Sequence, residues 1–285
     1  MPPPSPSASE PERGPGPARV ERVRPRIAWG LRVPAALAVA FLVVPLLGLV
    51  IRAPWRGMAA ILRHQDVLSA LRLSLLCATS ATAISLVLGV PLAWLLARSR
   101  GRAVRYLRAL VTLPLVLPPV VGGVALLLAF GRNGVLGRWL DAWFGLTLPF
   151  TTTGVVLAET FVAMPFLILA VEGAFRAADE GFEEAAATLG ASRMVVFWRV
   201  SLPLVGPSLL AGAVLAWARA LGEFGATITF AGNVPGVTQT MPLSVYLAME
   251  TDPDAAVALS LVLLVVSVAV LGGLRDRWLP GAGAS

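Results

Sequence analysis

The sequence contains no lysine, and all 23 of its basic residues are arginine. A P-loop needs its lysine to reach the nucleotide phosphates, so the chain carries no Walker-type ATPase. Schiff-base chemistry and a serine–lysine dyad fall away with it. The one histidine, His64, cannot build a zinc site of the H-E-x-x-H kind, and between Arg63 and Gln65 in a loop it reads as a solvated side chain. The one cysteine, Cys77, excludes an internal disulfide and a thiolate cluster; inside an apolar stretch it packs as a small hydrophobe. Charge is sparse as well: 14% of the 285 residues are charged and 57% are hydrophobic, with a mean hydropathy of +0.79. Lipid as the solvent explains that balance. No catalytic residue, no metal site and no cofactor bound by this chain is expected.

What is there is a series of apolar runs. Val33 to Ile51 has 19 residues without a charge, about 28 Å as a helix, which matches a hydrocarbon core of about 30 Å. Further spans are placed at 68–97, 109–130, 152–172, 203–223 and 255–274. The expected fold is therefore an all-α integral membrane protein of six transmembrane helices, since isolated strands leave backbone groups unsatisfied in lipid. Residues 1–28, rich in Pro, Ser, Glu and Arg, read as a disordered tail with no signal-peptide cleavage site. Residues 29–279 read as the transmembrane domain and 280–285 as a C-terminal tail.

Arginine distribution orients the spans. With the N-terminus inside, the inner segments hold sixteen arginines and the outer ones five, with none between 224 and 254. Both termini are expected in the cytoplasm. The net charge of +7 thus reflects topology, and nucleic acid is not an expected partner. Proline and glycine interrupt several spans, most densely in Leu113-Pro114 to Gly122-Gly123. Such breaks are tolerated in membrane helices where neighbours or a water-filled path satisfy the backbone, or where small residues pack helices closely.

The segment Ala178 to Gly190, within a loop running from 176 to 203, reads as a short helix outside the bilayer. Acidic residues crowd its first turns, Gly190 stands where a C-terminal cap belongs, and Ser192 is placed to cap the next helix. Three consecutive alanines, Ala185 to Ala187, give it a low-profile face able to enter a groove on another protein, or simply fill a surface helix with a good helix former.

Glu184-Ala185-Ala186, then Gly190, then Val200 and Leu202-Pro203 resembles the EAA loop of the permease subunits of ABC importers, with valine in place of the usual isoleucine. The resemblance implies that Glu184, Ala185, Ala186, Gly190, Leu202 and Pro203 belong to a loop that docks into a separate ATPase subunit, where ATP and Mg would be bound. It implies a type I ABC importer (MetI-like) core, a homodimer with the pathway at its two-fold interface, and an extracytoplasmic binding protein, all in a bacterial cytoplasmic membrane.

A second stretch, Arg219-Ala220-Leu221-Gly222-Glu223-Phe224-Gly225-Ala226-Thr227-Ile228-Thr229-Phe230-Ala231-Gly232-Asn233, is similar to the signature of the molybdate importer permeases. Sulfate, thiosulfate and tungstate permeases are the nearest alternatives, and a non-transporting membrane scaffold is an alternative of another class. Arg219 and Glu223, four apart, can meet on one helix face. They either border the route of an oxyanion or form a salt bridge that holds the fifth span. Thr227, Thr229 and Asn233 either offer hydrogen bonds to the oxyanion or close helix ends. The arginine-free segment with Glu250, Asp252 and Asp254 would repel a free anion, which favours delivery by a docked binding protein.

Overall fold

The computed structural model describes residues 29–278, and the side chains of residues 30–273. The tail expected at 1–28 and that at 280–285 lie outside the described residues. The chain forms two compact units divided at Gly48 and Leu49. Helix α1 (Trp29–Arg52) runs across that division and contains Pro34 and Pro45. Its side chains are exposed along almost its whole length. An exposed apolar helix of this length belongs in lipid or against a partner.

The second unit contains the remaining helices. Helix α2 (Met58–Arg63) leads through His64 into α3 (Gln65–Arg98); α4 (Arg102–Val116), α5 (Pro119–Phe130) and α6 (Gly137–Phe144) follow. Helix α7 (Thr152–Ala177) precedes α8 (Gly181–Thr188) and α9 (Arg193–Val196). A π-helical turn (Phe197–Ser201), α10 (Leu202–Leu204) and α11 (Gly206–Leu221) come next, then α12 (Gly225–Phe230), α13 (Met241–Thr251) and α14 (Pro253–Trp278). Among the described residues there is no strand.

Four helices (α1, α3, α7 and α14) are long and apolar enough to cross a membrane, and six spans result if each of two bent pairs counts as one. The first pair, Arg102–Val116 with Pro119–Phe130, contains the third expected span, and the second, Arg193–Leu204 with Gly206–Leu221, carries nearly all of the fifth in its second arm. The stretch 109–130 is broken at Leu117 and Pro118, where α4 and α5 meet at 117°. Pro118 and Pro119 each disfavour helical backbone at the residue before, and Leu117 (ψ 133°) and Pro118 (ψ 134°) are both extended. The stretch 203–223 bends by 77° near Val205, ahead of Pro207, and its helix ends at Leu221. Proline accounts for both breaks.

The core lies between α3, α7 and α11. Helix α3 turns Ala70, Ser74, Cys77, Ala78, Ala81, Ser85, Gly89 and Ala93 inward, a stripe of small residues at helical spacing that lets backbones approach. Leu167, Ile168, Val171 and Phe175 of α7 fill the space opposite. At Gly89 an added Cβ would stand 3.1 Å from Ile168 and 3.2 Å from Leu167. The hydroxyls of Thr82 and Ser85 donate to carbonyls one turn back, so their burial leaves no polar group unpaired. Leu, Val and Ile side chains elsewhere on α3, α5 and α14 are exposed, the inversion expected of a lipid-facing surface.

Candidate functional site

Two groups of polar residues stand at opposite ends of α7. At its C-terminal end, α8 begins after Asp179, whose carboxylate accepts from the Gly181 N–H at 2.9 Å. It ends in a Schellman motif: the Gly190 N–H donates to Ala187 O at 2.9 Å, and the Ala191 N–H to Ala186 O at 3.0 Å. Gly190 has φ +86° with open space around an added Cβ, so the glycine serves conformation alone. Ser192 caps α9 through the Val195 N–H. Gly190→Ala is expected to cost about 1 kcal/mol, the penalty of a Cβ in left-handed backbone, seen as an apparent melting temperature in detergent lower by roughly 2–4 °C.

Helix α8 has no fully buried residue. Glu183 and Ala186 turn partly inward, whereas Phe182, Glu184, Ala185, Ala187 and Leu189 face solvent, Leu189 at 89% exposure. With Met194 and Trp198, also exposed, this end of the protein presents an apolar, partly acidic surface. The acidic residue tied to the spans is Glu183, one before the motif glutamate. Arg98, the last residue of α3, donates to its carboxylate through Nε at 3.0 Å and Nη2 at 2.8 Å. Ser201 of the π-helical turn donates to it at 2.8 Å.

Burial alone raises the pKa of Glu183, but the hydrogen bonds from Arg98 and Ser201 outweigh it and hold the carboxyl below its ordinary range. A depressed carboxylate contributes stability above the unfolded value, about 4.3, and loses it as pH falls through the folded value. A nitroxide label on Leu189→Cys is therefore expected to keep its mobility from neutral pH down through about 4.3 and to loosen below it. Loosening already between pH 5 and 6 would contradict the pairing.

Beside this node Glu172 of α7 accepts from Arg108 at 2.8 Å and from Arg176 at 3.0 Å. Arg108 also donates to Leu96 O at 3.2 Å. Helices α3, α4 and α7 are thereby joined on their polar side.

Toward the other end of α7 lies the pair Arg219 and Glu223, in contact at 2.6 Å. Glu223 sits beyond the end of α11, and its second oxygen accepts from the Ala226 N–H at 2.8 Å, in the first turn of α12. One carboxylate, 1% exposed, thus neutralises an arginine of one helix and caps the next. Glu159 of α7 is also fully buried, close enough to Glu223 for the two carboxylates to interact, and Cys77 of α3 stands near Glu159.

The remaining candidates divide. Thr229 donates to Gly225 O one turn back, so its hydroxyl serves the helix. The Thr227 hydroxyl and the Asn233 carbonyl oxygen are buried without a protein partner. Gly123 of α5 approaches Ala226 and Thr229, and Gly225 approaches Pro119 and Val120. The glycines of both stretches that the sequence singles out therefore meet in one close contact between α5 and α12. Thr152 of α7 donates to Val237 O, and Ser74 of α3 accepts from the Met241 N–H, which ties the 224–240 segment down.

The family described as "Binding-protein-dependent transport system inner membrane component" matches residues 89–279, a stretch that holds these groups apart from Ser74 and Cys77 of α3. The chain belongs to that family. It is 53% identical over 245 residues to the molybdenum transport system permease protein ModB of Mycobacterium tuberculosis, covering 86% of this chain and 92% of that one. It is 35% identical over 254 residues to the sulfate transport system permease protein CysT of Escherichia coli, covering 88% and 91%. A bacterial ABC transporter involved in import of the acidic polysaccharide alginate shares the fold, with a TM-score of 0.69 at 16% identity over 88% of this chain and 94% of that one.

As an inner membrane component, the chain is a multi-pass membrane protein. Arg98, Glu183, Ser201, Glu159 and the Glu172 pairs are residues that sequence reasoning passes over. Arg98 counts there only toward topology, and its partner lies 85 positions away. No local pattern announces the pair. Glu159 is detectable as a carboxylate inside an apolar run, whereas its closeness to Glu223 is not.

Proposed function

We propose that this protein is the permease subunit of an ATP-driven importer that carries molybdate across the cytoplasmic membrane. The observation that carries the importer reading is α8: a short, capped helix with no buried residue, offering Phe182, Glu184, Ala185, Ala187 and Leu189 to a partner while pinned to the spans behind it. In this reading α8 and the loop through Leu202 and Pro203 lie in the cytoplasm and dock into a separate ATPase subunit, which holds ATP and Mg. Two copies of the permease enclose the pathway, and an extracytoplasmic binding protein delivers the anion. The higher identity to the molybdenum permease, 53% against 35% for the sulfate permease, supports molybdate. Sulfate is the second reading, on the strength of that same relative.

Transport follows by alternating access. ATP-driven closure of the ATPase pair moves the two copies of α8 together, and the spans rearrange between states that differ in affinity for the anion. Arg219 is neutralised by Glu223, so the polar cluster does not present a bare cation that would trap a dianion; conduction requires release as well as entry. Thr227 and Asn233 carry buried polar atoms with no protein partner, neutral groups open to hydrogen bonding with an oxyanion.

The test is reconstitution in liposomes with the ATPase and binding protein, following ATPase rate while molybdate, tungstate and sulfate are titrated separately. Stimulation by molybdate, lost in Glu184→Trp because a bulky ring replaces an exposed contact, is the expected result. Stimulation by sulfate alone would overturn the substrate and leave the importer standing. A complex that assembles but responds to no oxyanion would favour the scaffold.

A further inference from the structure

The chain runs continuously from α7 into α8 and from α9 into α11, yet α8 has no fully buried residue of its own. Motion imposed on α8 by a docked partner reaches the spans through those two backbone junctions and through whatever side chains bridge them. The side-chain hydrogen bonds described between the α8 region and the membrane helices converge on one group. Arg98 donates through Nε and Nη2 to Glu183, through Nη1 to Phe175 O at 2.7 Å, and more weakly through Nη1 to Glu180 at 3.4 Å. Its side chain is only 12% exposed. Ser201, at the entrance to the fifth span, donates to the same Glu183 oxygen that receives Nη2. A single guanidinium fork therefore joins the end of α3, the last turn of α7 and α8, and the carboxylate it holds accepts in turn from the π-helical turn.

We infer that Arg98 is a positioning residue for coupling, which transmits displacement of α8 to α3 and α7 and so to the Glu159, Glu223 and Arg219 cluster. This rests on the importer reading above. Coupling over distance is carried by contiguous hydrogen-bonded and packed elements, and here the two elements gripped by Arg98 are the ones packed most closely in the core. Along α7, Phe175 and Glu159 are about 24 Å apart at 1.5 Å per residue, one helix connecting node and cluster. Arginine is needed for its fork: an ammonium is a point charge on a flexible stem and does not hold a carboxylate and a carbonyl in fixed relation. Ser201 ties in the fifth span, whose last turn contains Arg219.

The test uses the full importer in liposomes, with molybdate-loaded binding protein as the stimulus. Arg98→Lys and Arg98→Ala are expected to keep the ATPase bound and its basal rate within about twofold, but to lower stimulation and uptake by about tenfold, in the range of ordinary coupling energies. A second variant guards against a folding defect. Arg98→Cys/Glu183→Cys, with Cys77→Ala, is expected to be uncoupled, to regain stimulation when the two positions are bridged by a short bis-methanethiosulfonate linker, and to lose it again in reductant. Full stimulation in Arg98→Ala would overturn the inference. So would loss of stimulation strictly in step with loss of bound ATPase and unrepaired by the linker, which would make the node a mere fastening of the loop. Failure of the importer reading is distinguishable, because it would show in the unmutated complex as absence of ATPase binding or of stimulation.

Discussion

Glu223→Ala is expected to abolish the folded protein in detergent or to lower its stability by about 3–5 kcal/mol, the cost of breaking a buried ion pair from one side. Against a total of about 5–15 kcal/mol for a typical domain, that is a large share. Two losses combine. Arg219, 26% exposed, is left without its partner at 2.6 Å, and the Ala226 N–H loses its acceptor at 2.8 Å. Glu223→Gln separates them, because an amide oxygen still accepts from Ala226 while the charge is gone. The glutamine variant is expected to melt between wild type and alanine, and thermal unfolding followed by size-exclusion chromatography measures the order. Equal melting of the two variants would show that the cap contributes nothing. If Glu223→Gln folds yet fails to transport, the pair acts in the pathway as well as in the fold.

Gly123→Val is expected to be as damaging, through sterics and not charge. A Cβ at Gly123 would lie 2.6 Å from the Thr229 Cβ, 2.9 Å from Ala226 O and 3.1 Å from the Ala226 Cα. Two of those three are backbone atoms of α12, which approaches α5 as closely one turn earlier, where a Cβ added at Gly225 would lie 2.9 Å from the Pro119 Cβ. Neither element yields without moving the other. Overpacking of this kind costs about 1–3 kcal/mol even for modest additions, so Gly123→Ala is expected to lower the melting temperature clearly and Gly123→Val to prevent accumulation in the membrane. Gly173→Ala on α7 is the control, with nothing within 4 Å of its added Cβ. It is expected to be neutral or slightly stabilising, since alanine is the better helix former. Equal sensitivity at the two positions would argue against the close α5–α12 approach.

Both effects arise in one small region, where α11 ends, α12 begins and α5 crosses. Glu223 closes this region electrostatically and the glycines close it sterically. Helix α7 passes it with Glu159 and, roughly four turns further on, reaches the Arg98 node. One end of that helix thus passes the buried Arg219–Glu223 pair and the other carries Glu172 and adjoins Glu183, both paired with arginines of other elements.

The composition and periodicity of the chain determined by themselves that it is all-helical and membrane-embedded, because runs of about twenty uncharged residues have no other stable place. The α8 loop was also legible: acidic first turn, three alanines, a glycine cap and a serine cap are local signals, and both caps are satisfied by atoms within a few residues. The i, i+4 pair of Arg219 and Glu223 was readable for the same reason. What only the tertiary structure decided are relations across long separations. That the third and fifth spans bend, by 117° and 77°, follows from proline placement combined with packing that no hydropathy window registers. That Glu183 and not Glu184 is gripped from α3 depends on which face α8 turns inward, and neighbouring glutamates on a short exposed helix look alike in sequence. That Glu159 stands near Glu223 depends on how α7 is rotated against α11. Secondary structure and solvent preference are written in local physics, whereas pairing of charges between helices is set by the rotation and register of packed helices, which local physics leaves open.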